Sequence, residues 1–289
     1  MPQRSPFRYP GGKTWLVPHI RSWLASKTPR VSVLVEPFAG GGIVGLTAAF
    51  EDLAHHVVLV ERDPHVAAVW QTILGGQAQW LADHIQNFDL NPTAARKILD
   101  QEPLTQRERA FTTLLRNRVQ RGGILAPGAG LLKSGENGRG LRSRWYPETL
   151  ARRIQDIAAM RARFTFIAGD GNEVIRRYAA STNTAFFVDP PYTVAARRLY
   201  AYWQVDHRQL FGVLAGVNGD VLMTYDNTPT ITALAREFGF ATAPVAMKTT
   251  HHARRTELLV GKNLSWLGEV VNGPEAESGS GELELAFPA

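Results

Sequence analysis

Ala185-Phe186-Phe187-Val188-Asp189-Pro190-Pro191-Tyr192 decides how the chain is read. Four consecutive apolar residues bounded by a turn signal predict a strand buried on both faces. A carboxylate just after such a strand stands where open α/β sheets bind ligands. Pro190 and Pro191 fix φ and carry no amide hydrogen, so the strand stops and its carbonyls stay available as acceptors. Tyr192 adds a flat ring. A carboxylate, a carbonyl and a ring in one rigid turn suit a planar amino group, with two acceptors for its two N–H bonds and a face to stack on. A plain strand-ending Asp-Pro turn is the other reading of the same residues.

Outward from this point, further short β-branched runs appear at Val31–Val35, Val57–Val60, Phe164–Ile167 and Asp220–Tyr225. Pro244–Lys248 and Thr256–Val260 are expected to close the sheet as a pair. Helical patterns lie between most of them, which predicts an α/β fold: a Rossmann-like, largely parallel sheet covered by helices on both faces. One interval is too long. Glu61 and Phe164 are about 100 residues apart, whereas a βαβ unit needs only about 30. Helix-like segments near Pro64–Leu74, Gln77–Gln86, Pro92–Asp100 and Gln106–Gln120, a Gly-rich stretch from Gly122 to Gly140, and a helix from Pro147 fill it. The expected division is a discontinuous core, 1–63 and 164–272, around a mainly helical insertion at 64–163. An acidic tail at 273–289, with four Glu and no Lys or Arg, is expected to be disordered.

Charge separates the same regions. The 289 residues carry a net +6, but Arg107–Arg163 alone holds 13 Lys and Arg against 4 Asp and Glu. The remainder is therefore slightly acidic, and the insertion carries the footprint of a polyanion partner. Cysteine is absent, which excludes disulfides, thiolate metal sites and a cysteine nucleophile. No metal site is expected; His251 and His252 are adjacent and would point apart on a strand. No run approaches the ~20 apolar residues of a membrane span. Met1–Ser5 leads straight into a motif rather than a signal peptide, and a cytoplasmic location is expected.

The first strand runs into Glu36-Pro37-Phe38-Ala39-Gly40-Gly41-Gly42 and then a helix, Ile43–Phe50. Glycines there allow a sharp turn and a close backbone approach to a ligand. The loop lacks the G-x-G-x-x-G of a dinucleotide site. Glu36 is ill suited to a phosphate and well suited to an ammonium, which points to S-adenosylmethionine. Glu61, closing the second strand, is placed to accept from ribose hydroxyls. Asp63 reads as a helix N-cap. Asp170 in Gly169-Asp170-Gly171 is placed either to meet the cofactor's adenine amine or to cap the helix that follows. Phe7-Arg8-Tyr9-Pro10-Gly11-Gly12-Lys13 has two glycines and a lysine but not the spacing of a phosphate loop.

Taken in order, Phe7–Lys13, Glu36–Gly42, Asp189–Tyr192 and Thr256-Glu257-Leu258-Leu259-Val260 resemble the DNA adenine methylase family, in its alpha-group arrangement with a DPPY motif. The resemblance spans roughly Phe7 to Lys262. It implies a site-specific DNA methyltransferase that moves a methyl group from S-adenosylmethionine to N6 of an adenine extruded from the duplex. It implies cofactor or base contacts for Tyr9 and Lys13, with Glu61 on the ribose and Asp189 between cofactor and amine. Tyr192 would stack on the base, and Phe38, Ala39, Gly40 and Gly41 would line the cofactor. DNA contacts are expected from Arg8, Arg116, Asn117, Arg118, Arg121, Lys133, Arg139, Arg142 and Arg144. The stretch Gln120–Pro127 has Ala126 where GATC-reading relatives place an arginine, which argues against GATC. A monomer on double-stranded DNA is the default, with a cognate restriction endonuclease as an optional partner. Cytosine N4, adenine in RNA, or binding without catalysis stay open as alternatives.

Overall fold

The computed structural model describes residues 3–8, 12–121, 125, 130–133, 135, 138–191, 205–247 and 255–268. Tyr9, Ala126, Tyr192, His251, His252 and the expected tail at 273–289 lie outside the described residues.

A turn at Lys13–Leu16 opens helix α1 (Val17–Ala25). β1 (Val31–Glu36), α2 (Ile43–Phe50) and β2 (Ala54–Glu61) follow as a βαβ unit. The long interval then holds α3 (Pro64–Thr72), α4 (Ala78–Asn87), α5 (Pro92–Asp100), α6 (Gln106–Val119) and α7 (Pro147–Ala159). β3 (Phe164–Ala168), α8 (Gly171–Tyr178) and β4 (Thr184–Val188) resume the alternation. α9 (His207–Ala215), β5 (Asp220–Asp226), α10 (Pro229–Glu237), β6 (Ala241–Met247) and β7 (Arg255–Gly261) complete it.

The seven strands form one sheet in the order β3-β2-β1-β4-β5-β7-β6. The first five are parallel, and β7 inserts antiparallel between β5 and β6. Pro244 lies inside β6, which is tolerated because β6 is an edge strand. The order reverses between β1 and β4. The carboxyl ends of those two strands form the crevice in which open α/β sheets seat ligands.

Period-2 alternation divides the strands between two cores. Leu34, Leu59, Phe187 and Leu222 face one side, with α1 and α2. Val35, Val58, Phe186, Val188 and Met223 face the other, with α8, α9 and α10. Each buried phenylalanine of β4 contributes about 1.5–3 kcal/mol by leaving water. The helices of the long interval share the first of these clusters. Trp70 of α3, Leu81 of α4, Phe111 and Leu114 of α6 and Ile154 of α7 belong to the same apolar body as the sheet face. A five-residue π turn, Ile73–Gln77, separates α3 from α4, with Gly76 at φ 90°. A helix reaching Leu74 is therefore two residues too long.

Local signals explain the helix starts. Asp63, Asn91, Thr105, Asp170, Asp206 and Thr228 each accept an amide of the first turn they precede. Thr105 and Glu108 make a reciprocal capping box. Among the described residues, no helix is long and apolar enough to cross a membrane.

Candidate functional site at the carboxyl edge of the sheet

Four parallel strands deliver acids to one edge. Glu36 ends β1, Glu61 ends β2, Asp189 follows β4 and Asp226 ends β5. Asp170 stands two residues beyond β3.

The loop between β1 and α2 is built around Gly40 (φ 47°) and Gly42 (φ 62°), left-handed conformations that L side chains resist. At Gly42 space is also lacking, since a Cβ would lie 2.8 Å from the Trp70 ring. Trp70 Nε1 donates to the Gly40 carbonyl at 2.9 Å, and Ser5 Oγ donates to that of Gly41 at 2.6 Å. Glu36 is buried, and its Oε2 accepts the Gly45 amide at 2.7 Å. Burial pushes its carboxyl up to about 8 against the helix amides, and the charge of Asp189 pushes the same way. Glu61 Oε2 accepts from Gly40 N at 3.0 Å, and its Oε1 from Arg62 N and Asp63 N, each at 2.8 Å. Burial raises Glu61 to about 7. Asp170 Oδ1 accepts Asn172 N at 2.7 Å, so the capping reading of this residue is realised in the geometry.

These residues suit S-adenosylmethionine on their own chemistry. A buried carboxylate held largely protonated lacks a cation, and an amino-acid ammonium would supply one. Glu61 still has an acceptor position on Oε2 for a hydroxyl. Phe38, partly buried against the second core, and buried Ala39 give the loop an apolar flank.

A second cluster surrounds Asp189. Its Oδ1 lies 3.1 Å from Lys13 Nζ and accepts the Thr224 hydroxyl at 2.7 Å. Lys13, from the turn before α1, is buried and also lies 3.5 Å from the Glu257 carboxylate of β7. Among the described residues nothing donates to Asp189 Oδ2. Burial raises the Glu257 carboxyl, Lys13 opposes that, and Asp189 and Asp226 add to it. Tyr225, fully buried on β5, has its hydroxyl at 3.1 Å from His207 Nδ1, and burial raises its pKa. Pro190 is buried beside this cluster. Thr224 and Glu257 were given no role from sequence, because only sheet pairing brings them to Asp189. Glu257 does lie in the quoted Thr256–Val260 stretch.

The expected DNA-contacting residues divide. Arg121, Lys133, Arg139 and Arg142 are exposed, and Arg8, Arg116 and Arg144 are partly so. Arg142 is tied to Asp89 at 2.7 Å and to the Leu90 carbonyl at 2.8 Å. Asn117 and Arg118 are different: both are buried. Asn117 holds Arg8 at both backbone groups, accepting N–H at 2.8 Å and donating to the carbonyl at 2.9 Å. Arg118 donates to the Pro6 carbonyl at 2.6 Å, and Arg153 to that of Ser5 at 3.2 Å. Burial, with Arg153 and Arg8 nearby, lowers Arg118 to about 9. The expectation that these two side chains reach DNA is corrected: they face inward and clamp the 5–8 segment.

The fold and the site suit an S-adenosylmethionine-dependent methyltransferase. Residues 9–91 match the model of the family described as D12 class N6 adenine-specific DNA methyltransferase, which bears out the resemblance read from the motifs. That match takes in Tyr9–Lys13 of the glycine-lysine motif, the Glu36–Gly42 loop and Glu61, and stops before Asp189. No curated protein matches. Among solved structures, the rRNA methyltransferase aviRa from Streptomyces viridochromogenes is 16% identical, covering 92% of this chain and 90% of its own, with a TM-score of 0.38. A SAM-dependent methyltransferase from Agrobacterium tumefaciens is 11% identical over 86% and 61%, at 0.40. The spermidine synthase from Thermotoga maritima is 10% identical over 87% and 59%, at 0.38. Those likenesses are too distant to identify a reaction.

Proposed function

We propose that this chain methylates N6 of an adenine in double-stranded DNA, at a specific site, with the base rotated out of the duplex. The observation that carries the reading is the state of Asp189. One of its oxygens is fixed by Lys13 and Thr224 while the other accepts nothing among the described residues, at the switch point of the sheet.

The cofactor supplies an electrophilic methyl on a sulfonium; the chain supplies position. Glu36 would take the ammonium and Glu61 the ribose, with Phe38, Ala39, Gly40 and Gly41 along the loop, and Asp170, whose Oδ1 caps α8, would face the adenine ring through Oδ2. Asp189 Oδ2 and the Pro190 carbonyl would accept the two N6 hydrogens, drawing lone-pair density onto nitrogen and aiming it at the methyl; the N–C bond would form as the S–C bond breaks, the thioether would leave, and one N6 proton would pass to Asp189 Oδ2. Pro191 keeps that turn rigid, and Tyr192 stacks on the base. Tyr9 and Lys13 would contact the cofactor or the target base. Orientation of this kind accounts for several kcal/mol of barrier lowering without a metal or a covalent enzyme intermediate. Extrusion is required because N6 cannot be approached in line within the stack.

Residues 64–163 serve as the recognition region of the core formed by 1–63 and 164–272. Arg8, Arg116, Arg121, Lys133, Arg139, Arg142 and Arg144 meet the DNA, mostly at phosphates, with a few at guanine edges. A monomer is the default, with a cognate restriction endonuclease as an optional partner. The test is methyl transfer from labelled cofactor to DNA and to RNA, followed by nucleoside mass spectrometry. N6-methyladenine in duplex DNA is expected. N4-methylcytosine, or label in RNA alone, would overturn the substrate assignment.

A further inference from the structure

Glu257 has no part in the mechanism above, yet it sits at its centre. It is 6% exposed, on β7, opposite Asp226 of β5. Both its oxygens lie 3.5 Å from Lys13 Nζ, and Oε2 takes no hydrogen bond among the described residues. Lys13 and Asp189 already form a neutral pair at 3.1 Å. With both carboxylates ionised the trio carries one net negative charge in a buried place, which costs folding stability rather than adding to it, and burial, Asp189 and Asp226 accordingly raise the Glu257 carboxyl. Among the described residues, the groups facing Glu257 are Lys13 from the turn before α1, Asp189 after β4, and Asp226 from β5.

An uncompensated buried charge is understandable where a cation is to be received. We propose that Glu257 is a positioning residue for methyl transfer: it holds Lys13 Nζ on Asp189 Oδ1, and it keeps the Lys13–Asp189–Glu257 cluster net negative toward a sulfonium donor. This rests on the reading of the site as an S-adenosylmethionine-dependent amine methylase. Fixing Oδ1 through Lys13 leaves Oδ2 oriented for the substrate amine. The surplus charge favours the cofactor's sulfonium over its neutral thioether product. It also favours the transition state, in which positive charge moves from sulfur to the nitrogen beside Asp189.

The test uses the purified full chain and the variants Glu257→Gln and Glu257→Asp. Three quantities are measured: single-turnover transfer to DNA, Kd for S-adenosylmethionine and S-adenosylhomocysteine by calorimetry without DNA, and thermal stability. Glu257→Gln is expected to melt at or above the wild-type temperature, because it removes a buried charge. It is expected to transfer methyl roughly tenfold or more slowly, and to lose severalfold of its preference for the sulfonium over the thioether. Glu257→Asp, which restores the charge, is expected to recover the preference and part of the rate. A Glu257→Gln protein with wild-type rate and wild-type ligand preference overturns the proposal. So does a rate loss that follows the melting temperature equally in both variants. The two levels separate cleanly: a wild type that binds cofactor with the expected preference but labels no DNA defeats the substrate reading alone. A wild type that methylates DNA while Glu257→Gln is indistinguishable from it defeats this inference alone.

Discussion

Replacing Glu36 by Gln tests the cofactor loop at its most unusual residue. The Glu36 carboxyl is buried, accepts one helix amide at 2.7 Å, and is raised from 4.5 to about 8. At pH 7 only roughly one molecule in ten carries the charge. Glutamine reproduces the shape of the protonated form and keeps an oxygen for the Gly45 amide, so the apo fold is expected to tolerate it. The folded state binds this proton more tightly than the unfolded state, so its contribution to apo stability is present at low pH. That contribution declines as pH rises from about 4.5 to about 8, and Glu36→Gln is spared the decline.

The cofactor reverses the balance. An ammonium on Glu36 stabilises the ionised form, so binding expels a proton below pH 8. Wild-type affinity should then rise by up to about tenfold per pH unit between pH 6 and 8 from this group, with Glu61 adding to the slope as it passes about 7. A charge-assisted hydrogen bond of ~1.5–3 kcal/mol is lost in the variant, which corresponds to a Kd roughly 10- to 150-fold weaker at pH 8. Calorimetry in buffers of different ionisation enthalpy reads both affinity and proton release. Glu36→Gln should bind weakly and release one proton fewer. Wild-type affinity in the variant, or an unchanged proton count, would refute the assignment of Glu36 to the ammonium.

Thr224→Val removes the 2.7 Å donor to Asp189 Oδ1 without changing side-chain volume; single-turnover transfer should fall roughly tenfold with DNA affinity intact, as gel-shift titration would show. Asp189→Ala should abolish transfer with DNA affinity nearly unchanged, and a parallel loss of binding would mean a folding defect. Arg118→Ala leaves the Pro6 carbonyl without its buried donor and should cost about 1–3 kcal/mol, read as a lowered denaturation midpoint. Lys133→Ala and Arg139→Ala, both exposed, should leave stability unchanged while lowering the salt dependence of DNA affinity by about one unit of slope each.

The strands were legible because buried parallel strands are continuous β-branched or aromatic runs, and Ala185–Val188 is the purest example. β2 begins earlier than its apolar run, at Ala54, because His55 and His56 extend the pairing with polar side chains that carry no period. The glycine loop and its acids were legible because each stands at a strand end. The cluster around Asp189 was not. Thr224 is 35 residues from Asp189, and Glu257 is 244 from Lys13; only the placement of β7 beside β5 joins them. Asn117 and Arg118 misled for the same reason. In sequence they belong to a basic helix end, and nothing local announces that Pro6–Arg8, more than 100 residues earlier, packs over them.

The most direct measurement is expression of the intact chain in a host devoid of adenine methylation, followed by single-molecule sequencing of that host's DNA. N6-methyladenine confined to one short motif, and absent when Asp189→Ala is expressed instead, is the predicted result. An unmodified genome recovered from cells that contain the folded, cofactor-binding protein would contradict the account.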